Sequence, residues 1–271
     1  MTDHIYNYRD PNIGIYQVND QSTLLLQLYP ESVSYAVIHQ NKLVAWCEDC
    51  DHKILTETSE THELLNHWYK NVVVALPSTG FTLVPNALYN AERAADVARF
   101  LDVKPREKVF AQSLDDENHI VFKAPEALTK KAEKFGLQNV VHVSKGWLKA
   151  IESNDPQNYN LYLNFDKKLV EIAWFSNNKL RFYNTFTFHN PDELVYYTGI
   201  VAKELQLTQR TTNLVVSGDI NVDDSNATRL AEFFNGVDEN NIKLLDLPAE
   251  IFPHQVLSLT ALSLCVSSEV F

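Results

Sequence analysis

The sequence predicts a mixed α/β protein in which one structural unit occurs twice, and three observations carry that prediction. Residues 24–46 and 161–183 align without a gap at a constant offset of 137, LLLQLYPESVSYAVIHQNKLVAW against LYLNFDKKLVEIAWFSNNKLRFY. Leu24/Leu161, Leu26/Leu163, Val33/Val170, Ala36/Ala173, Asn41/Asn178, Lys42/Lys179 and Leu43/Leu180 are identical pairs, and an amide, Gln27 or Asn164, follows the first strand of each copy. In each half, three strand-like segments precede alternating helical and strand-like ones, the order of a mixed sheet with flanking helices. The polar turn cluster Asn154-Asp155-Pro156 stands directly ahead of the second copy. The expected division is therefore 1–155 and 156–271.

In the first half the opening 20 residues are polar and turn-rich, an arm or an edge. Strands are expected over 23–29, 32–39 and 42–47. Gln40-Asn41 forms the second turn, because Asn tolerates the left-handed backbone of a tight hairpin. Ser59 precedes a helix that places Leu64, Leu65 and Trp68 on one face. Val72–Leu76 is a continuous apolar run, the pattern of a strand buried on both sides, and Pro77 stops it. Residues 90–101 read as a helix with Ala94, Val97, Ala98 and Leu101 inward. Strands near 108–113 and 119–123, a helix at 125–135, a strand at 139–143 and a helix at 144–152 complete this half.

The second half opens with strands at 160–165, 169–175 and 179–187, with Asn177-Asn178 at a tight turn. Asn190-Pro191 starts a helix, Asn as cap and Pro at the first helical position. Leu194, Tyr197, Val201 and Leu205 form its face. A short strand at Leu214–Val216 ends in Ser217-Gly218-Asp219. A helix at 224–235, a strand at 242–246 and an apolar helix near 255–265 follow.

Bulk properties exclude several classes. With 45% hydrophobic and 21% charged residues the chain folds as a globule. A net charge of −12 repels nucleic-acid phosphates, so no nucleic-acid partner is expected. No run reaches the roughly 20 apolar residues of a membrane helix, and MTDHIYNYRD lacks a signal-peptide pattern. Three cysteines fit a reducing compartment better than a disulfide scaffold. The expectation is a cytoplasmic protein without membrane insertion.

Local motifs carry little chemistry. Cys47-Glu48-Asp49-Cys50 has redox spacing, but Glu48, Asp49 and Asp51 raise thiol pKa where redox chemistry needs it lowered. A redox or metal module at Cys47 and Cys50 stays a weak alternative to two incidental strand-end cysteines. His62 and His67 are five apart, which turns them about 140° away from one another on a helix. There is no G-x-S-x-G, Walker A or G-x-G-x-x-G segment. Glu31, Asp166, Glu171 and Asp219 lie on or near the turns that would face a cleft, where carboxylates hold metal or activate water. Acidic residues are also the ordinary content of solvated turns.

The repeated three-strand meander, the helices after it and the late strand ending in Ser217-Gly218-Asp219 resemble the actin-like ATPase superfamily. Among its members the chain is most similar to a bacterial family given an actin-like fold without an assigned activity. The resemblance implies a duplicated, ribonuclease H-like, two-lobed fold, each lobe a mixed sheet with flanking helices. It also implies that each first turn reads Asp-x-Gly in active members, the acid working on magnesium or water. The glycines there let backbone N–H groups approach phosphate.

At those positions stand Gln27-Leu28-Tyr29-Pro30 and Asn164-Phe165-Asp166-Lys167-Lys168. Each acid has become an amide, and Pro30 has no N–H to donate. Only 7 glycines occur, where average usage of ~7% gives about 19, and none lies in either repeat. The implied cleft residues are Gln27, Tyr29, Asn164, Asp166, Lys167, Glu171, Ser217, Gly218 and Asp219.

The expectation is a non-catalytic scaffold or adaptor with a protein partner or a second copy of itself, needing no cofactor. The alternative is a divergent nucleotide- or sugar-phosphate-dependent enzyme using ATP and magnesium. It would employ Asp166, Glu171 and Asp219, with Gly218 near the base and Lys167 or Lys168 supplying charge.

Overall fold

A computed structural model of the chain describes residues 7–13 and 21–266. By its internal contacts the chain forms two compact units. The first comprises 1–146, 245–250 and 259–271, the second 147–244 and 251–258. The turn cluster at 154–156 therefore lies inside the second unit, and the chain returns to the first after 244. Two contacts explain this. The Gly146 backbone lies against the Ala261 backbone, so closely that a Cβ at 146 would be 2.6 Å from Ala261 C. Asp246 bridges in parallel to Lys42.

In chain order the first unit contains β1 (Asn7–Arg9), β2 (Ser22–Leu28), β3 (Val33–His39), β4 (Lys42–Cys50), α1 (Glu60–Leu65), β5 (Asn71–Leu76), β6 (Gly80–Pro85), α2 (Ala94–Ala98), β7 (Glu107–Ser113), β8 (Asn118–Pro125), α3 (Glu126–Glu133) and β9 (Val140–His142). Its main sheet has the order β1-β4-β3-β2-β5-β9. β2, β3 and β4 are an antiparallel meander, while β5 runs parallel to β2 and β9 parallel to β5. Leu24, Leu25, Leu26 and Leu28 are all fully buried, as a central strand covered on both faces requires. A second sheet, β6-β8-β7, forms between β5 and β9 in the chain.

α4 (Lys145–Glu152) leads into the second unit: β10 (Asn160–Asp166), β11 (Leu169–Ser176), β12 (Lys179–Thr187), α5 (Pro191–Glu204), β13 (Asn213–Gly218), α6 (Ser225–Ala231), β14 (Gly236–Glu239) and α7 (Pro253–Thr260). The sheet order is β12-β11-β10-β13-β14, again a meander followed by parallel strands. Leu24 faces Val37 and Gln27 faces Ser34 in the first sheet. In the second, Leu161 faces Trp174 and Asn164 faces Glu171. Those pairs differ by the same 137 positions, so the repeat fixes register as well as strand order. Leu161, Leu163, Val170, Ile172, Leu194, Val201, Leu214 and Val216 form the second unit's core.

The helix starts follow the sequence. Ser59 Oγ accepts the His62 N–H at α1, and Asn190 Oδ1 accepts the Glu193 N–H at α5 with Pro191 in its first turn. Other expectations fail for identifiable reasons. α1 stops at Leu65, where Asn66 caps it, so Trp68 leaves the apolar face and is 66% exposed. In the β3–β4 turn Gln40, at φ +55°, is the left-handed residue and Asn41 is not. No strand forms over 242–246. α6 ends at Ala231 and Gly236–Glu239 takes the place beside β13, leaving 242–246 irregular apart from the Asp246 bridge. β6 was not expected, and most of the N-terminal arm lies outside the described residues.

Candidate functional site

The residues implied by the resemblance fall into one group in each unit. In the first, β2 carries Gln27 to its end and Tyr29-Pro30-Glu31-Ser32 connects it to β3. The Tyr29 N–H donates to the Ser32 carbonyl at 2.9 Å, which closes the turn. His52, in a short helical turn after β4, lies 2.9 Å from the Tyr29 carbonyl and 3.1 Å from that of Pro30 through Nε2. A carbonyl only accepts, so Nε2 carries the ring proton. Of the turn's backbone donors, one is used and Pro30 has none. Two of its acceptors are occupied by one imidazole. Gln27 is buried, its Nε2 without a hydrogen-bond partner, and Glu31 is exposed.

The second group is a buried polar row across three strands. Asn164 on β10 is paired with Glu171 on β11 and with Ser217 on β13. Glu171, only 4% exposed, accepts hydrogen bonds from Asn164 Nδ2 at 2.7 Å and from the Tyr183 hydroxyl on β12 at 2.9 Å. That geometry fixes the amide's orientation, and Asn164 Oδ1 is left buried without a partner. Trp147 of α4, fully buried, donates Nε1–H to Ser217 Oγ at 3.2 Å. Of the three carboxylates that the enzyme alternative would employ, Glu171 is thus engaged inside the sheet. Asp166 is half-buried at the end of β10 and Asp219 is exposed.

The β10–β11 connection is a two-residue turn, Lys167-Lys168, with Asp166 opposite Leu169. Lys167 sits at φ +54° without being glycine and is exposed. Gly218 has φ +83°, and a Cβ there would lie 2.1 Å from the Phe165 carbonyl oxygen. The fold itself therefore demands glycine at 218, where β13 passes β10 and the Asp219 N–H donates to Phe165. Phe165 packs edge-to-face on Phe188 in the core and takes no part in the turn's surface.

Sequence reasoning missed His52, Trp147 and Tyr183. They are far from their partners in sequence, and only the folded chain brings them together. It also passed over His142 at the end of β9, 3.2 Å from Ser78 Oγ. The Ser144 N–H points at its Nδ1 at 3.3 Å, so Nε2 bears the proton and donates to Ser78. A base for Ser78 would need the reverse. Burial pushes this imidazole down to about 3, and it is a neutral core residue. Cys47 and Cys50 are joined as a disulfide to which Cys265 does not belong, so the former two are not the unlinked pair the count suggested. Their Cα atoms are 6.4 Å apart, within reach of such a bridge. Among the described residues no three His, Cys, Asp or Glu side chains converge as a metal site would need.

Two sheets that share the order of five strands, each an antiparallel meander extended by two parallel strands, define an actin-like ATPase fold, and comparison with solved structures agrees. A Bacteroides thetaiotaomicron protein with actin-like ATPase fold and unknown function superposes with a TM-score of 0.74 at 19% identity, covering 91% of this chain and 96% of that one. A chain of the PilM–PilN type IV pilus biogenesis complex superposes with a TM-score of 0.52 at 12% identity, covering 89% and 96%. Comparison with curated protein sequences gives no match. The chain belongs to the family described as protein of unknown function DUF3822, whose model matches residues 15–237.

Proposed function

We propose that this protein is a non-catalytic, cytoplasmic scaffold or adaptor that keeps the actin-like fold without its phosphate chemistry. The observation that carries this reading is the state of the two turns. The first has Pro30 where a donor would be needed, and its carbonyls are engaged by His52. The second is a two-residue turn led by Lys167, with an amide at the acid position and the neighbouring Glu171 consumed by Asn164 and Tyr183. Phosphate binding by such turns uses several backbone N–H groups at once, and a lysine side chain does not replace them.

Contact surfaces suited to a protein partner support the same reading. Phe100 is 85% exposed and follows Arg99, which lines a groove of about 670 Å³ together with Ala94, Ala95, Ala98, Asp102, Val103, Val109 and Ala111. The PilM–PilN neighbour is itself a protein complex. Among the described residues no helix is long and apolar enough to cross a membrane.

Calorimetry with ATP and magnesium tests the proposal: no binding at millimolar nucleotide is expected. Micromolar, magnesium-dependent binding that Asp166→Ala abolishes would replace it with the divergent-enzyme reading, in which Asp166 and Asp219 would act. For the partner surface, Phe100→Asp with Ala98→Arg is expected to remove at least 90% of any complex recovered from native cells, with the melting temperature unchanged.

A further inference from the structure

β4 carries one residue more than β3 beside the first turn. The register passes from Tyr35 opposite Cys47 to Val33 opposite Cys50, three steps on one strand against two on the other. Such a bulge leaves a residue unpaired and bends the strand. Here the Cys47–Cys50 disulfide spans it. Inside the closed loop Asp49 has φ +52°, a left-handed conformation that costs a residue with a Cβ and that Asp adopts with the help of local hydrogen bonds. Its N–H donates to Ser34 Oγ at 3.1 Å, and its carboxylate accepts from Ser32 Oγ at 2.7 Å. Ser32 is the residue that closes the turn on Tyr29. Just past the bridge, Asp51 Oδ1 accepts the Lys53 N–H and so starts the helical turn that presents His52 to the Tyr29 and Pro30 carbonyls. These holds on the turn therefore leave from the disulfide loop or from the two residues after it.

We propose that Cys47 and Cys50 form a reversible disulfide/dithiol site that accepts electrons from a dithiol reductant, and that its state sets the order of the Tyr29–Ser32 turn. One reductant thiolate attacks a bridge sulfur, making a mixed disulfide and expelling the other cysteine as thiolate. The second reductant thiolate then attacks the first reductant sulfur and expels the remaining protein cysteine as thiolate. The reductant leaves as its cyclic disulfide and the protein keeps two thiols, with two electrons and two protons transferred. Both cysteines are half-buried at the end of a strand, within reach of a small thiol. The ring encloses two residues, so opening it relaxes the bulge while the sheet stays paired. Negative charge on Glu48, Asp49 and Asp51 repels an arriving thiolate and slows exchange. The site is therefore a latch set by its surroundings, not a turnover centre.

This inference does not depend on whether the protein binds nucleotide or a partner. Hydrogen exchange of the full chain, oxidised and after dithiothreitol, tests it, with alkylation to count thiols by mass. Reduction is expected to add two alkylatable cysteines and to raise exchange at the Tyr29 amide, which donates to the Ser32 carbonyl, at least tenfold, with β13 unchanged. Ser32→Ala retains the disulfide but cuts the connection, so its turn is expected to exchange fast in both states. Cys47→Ser is expected to behave as the reduced protein. Equal exchange at the turn in the two redox states overturns the proposal, as do cysteines that remain fully alkylatable after diamide.

Discussion

Asn164 stands where the family resemblance places an aspartate, and its neighbour gives a physical reason for the amide. Glu171 is buried and takes a hydrogen bond from Asn164 Nδ2 at 2.7 Å. A second carboxylate at that distance would set two like charges together in a buried site. Asn164→Asp is accordingly expected to cost roughly 3 kcal/mol or more at pH 7. The pair would share a proton, which raises its pKa in the folded state above the unfolded values near 4. The folded state then binds more protons than the unfolded one, so stability increases as pH falls from 7 towards 5. Urea titrations of the variant across that range check the sign.

His142 has the opposite dependence in the natural sequence. Its folded pKa of about 3 lies below the unfolded value of roughly 6.5. Between those limits the unfolded chain holds the extra proton, so this histidine's contribution is complete above about 6.5 and is lost as pH falls towards 3. The loss is on the order of a few kcal/mol. His142→Gln is expected to flatten the dependence between pH 6.5 and 4 relative to the natural chain in the same titration.

The hairpins of the repeat show how turn chemistry and strand pairing divide the work. Asn177 and Asn178, both left-handed at φ +55° and +59°, make the two-residue turn expected from their sequence. Lys167 adopts a similar φ although nothing in its chemistry favours it, because the pairing of Asp166 with Leu169 leaves only two residues to reverse the chain. Lys167→Gly is expected to stabilise the protein by about 0.5–1 kcal/mol, read as a shift in denaturation midpoint at constant slope. Gly218 is the contrasting case. Its freedom is fully used, since any side chain would meet the Phe165 carbonyl. Elements with strong periodicity or a clear cap, such as β2, β5 and α5, were legible. β14 was not, because its four residues lack a strand pattern of their own and acquire one only beside β13.

Across the whole molecule the chain's return to the first unit has a measurable consequence. Ala261 and Leu262 are fully buried, and Ala261 lies against Gly146. A chain ending at Ser258 is expected to lose roughly 3–5 kcal/mol from the first unit, enough to unfold it separately from the second. Two transitions in calorimetry, against a higher onset for the full chain, would show it.

The sequence by itself determined the duplication, the strand order within each copy and the absence of glycine at both first turns. These are local and periodic properties, written in neighbouring residues. Tertiary structure alone decided which side chains occupy the turns' surroundings. His52, Tyr183 and Trp147 reach their partners across 12 to 70 positions of chain, and the third β4 residue that makes the bulge has meaning only against β3. Cross-strand geometry sets such meetings, and no spacing within a single segment encodes them.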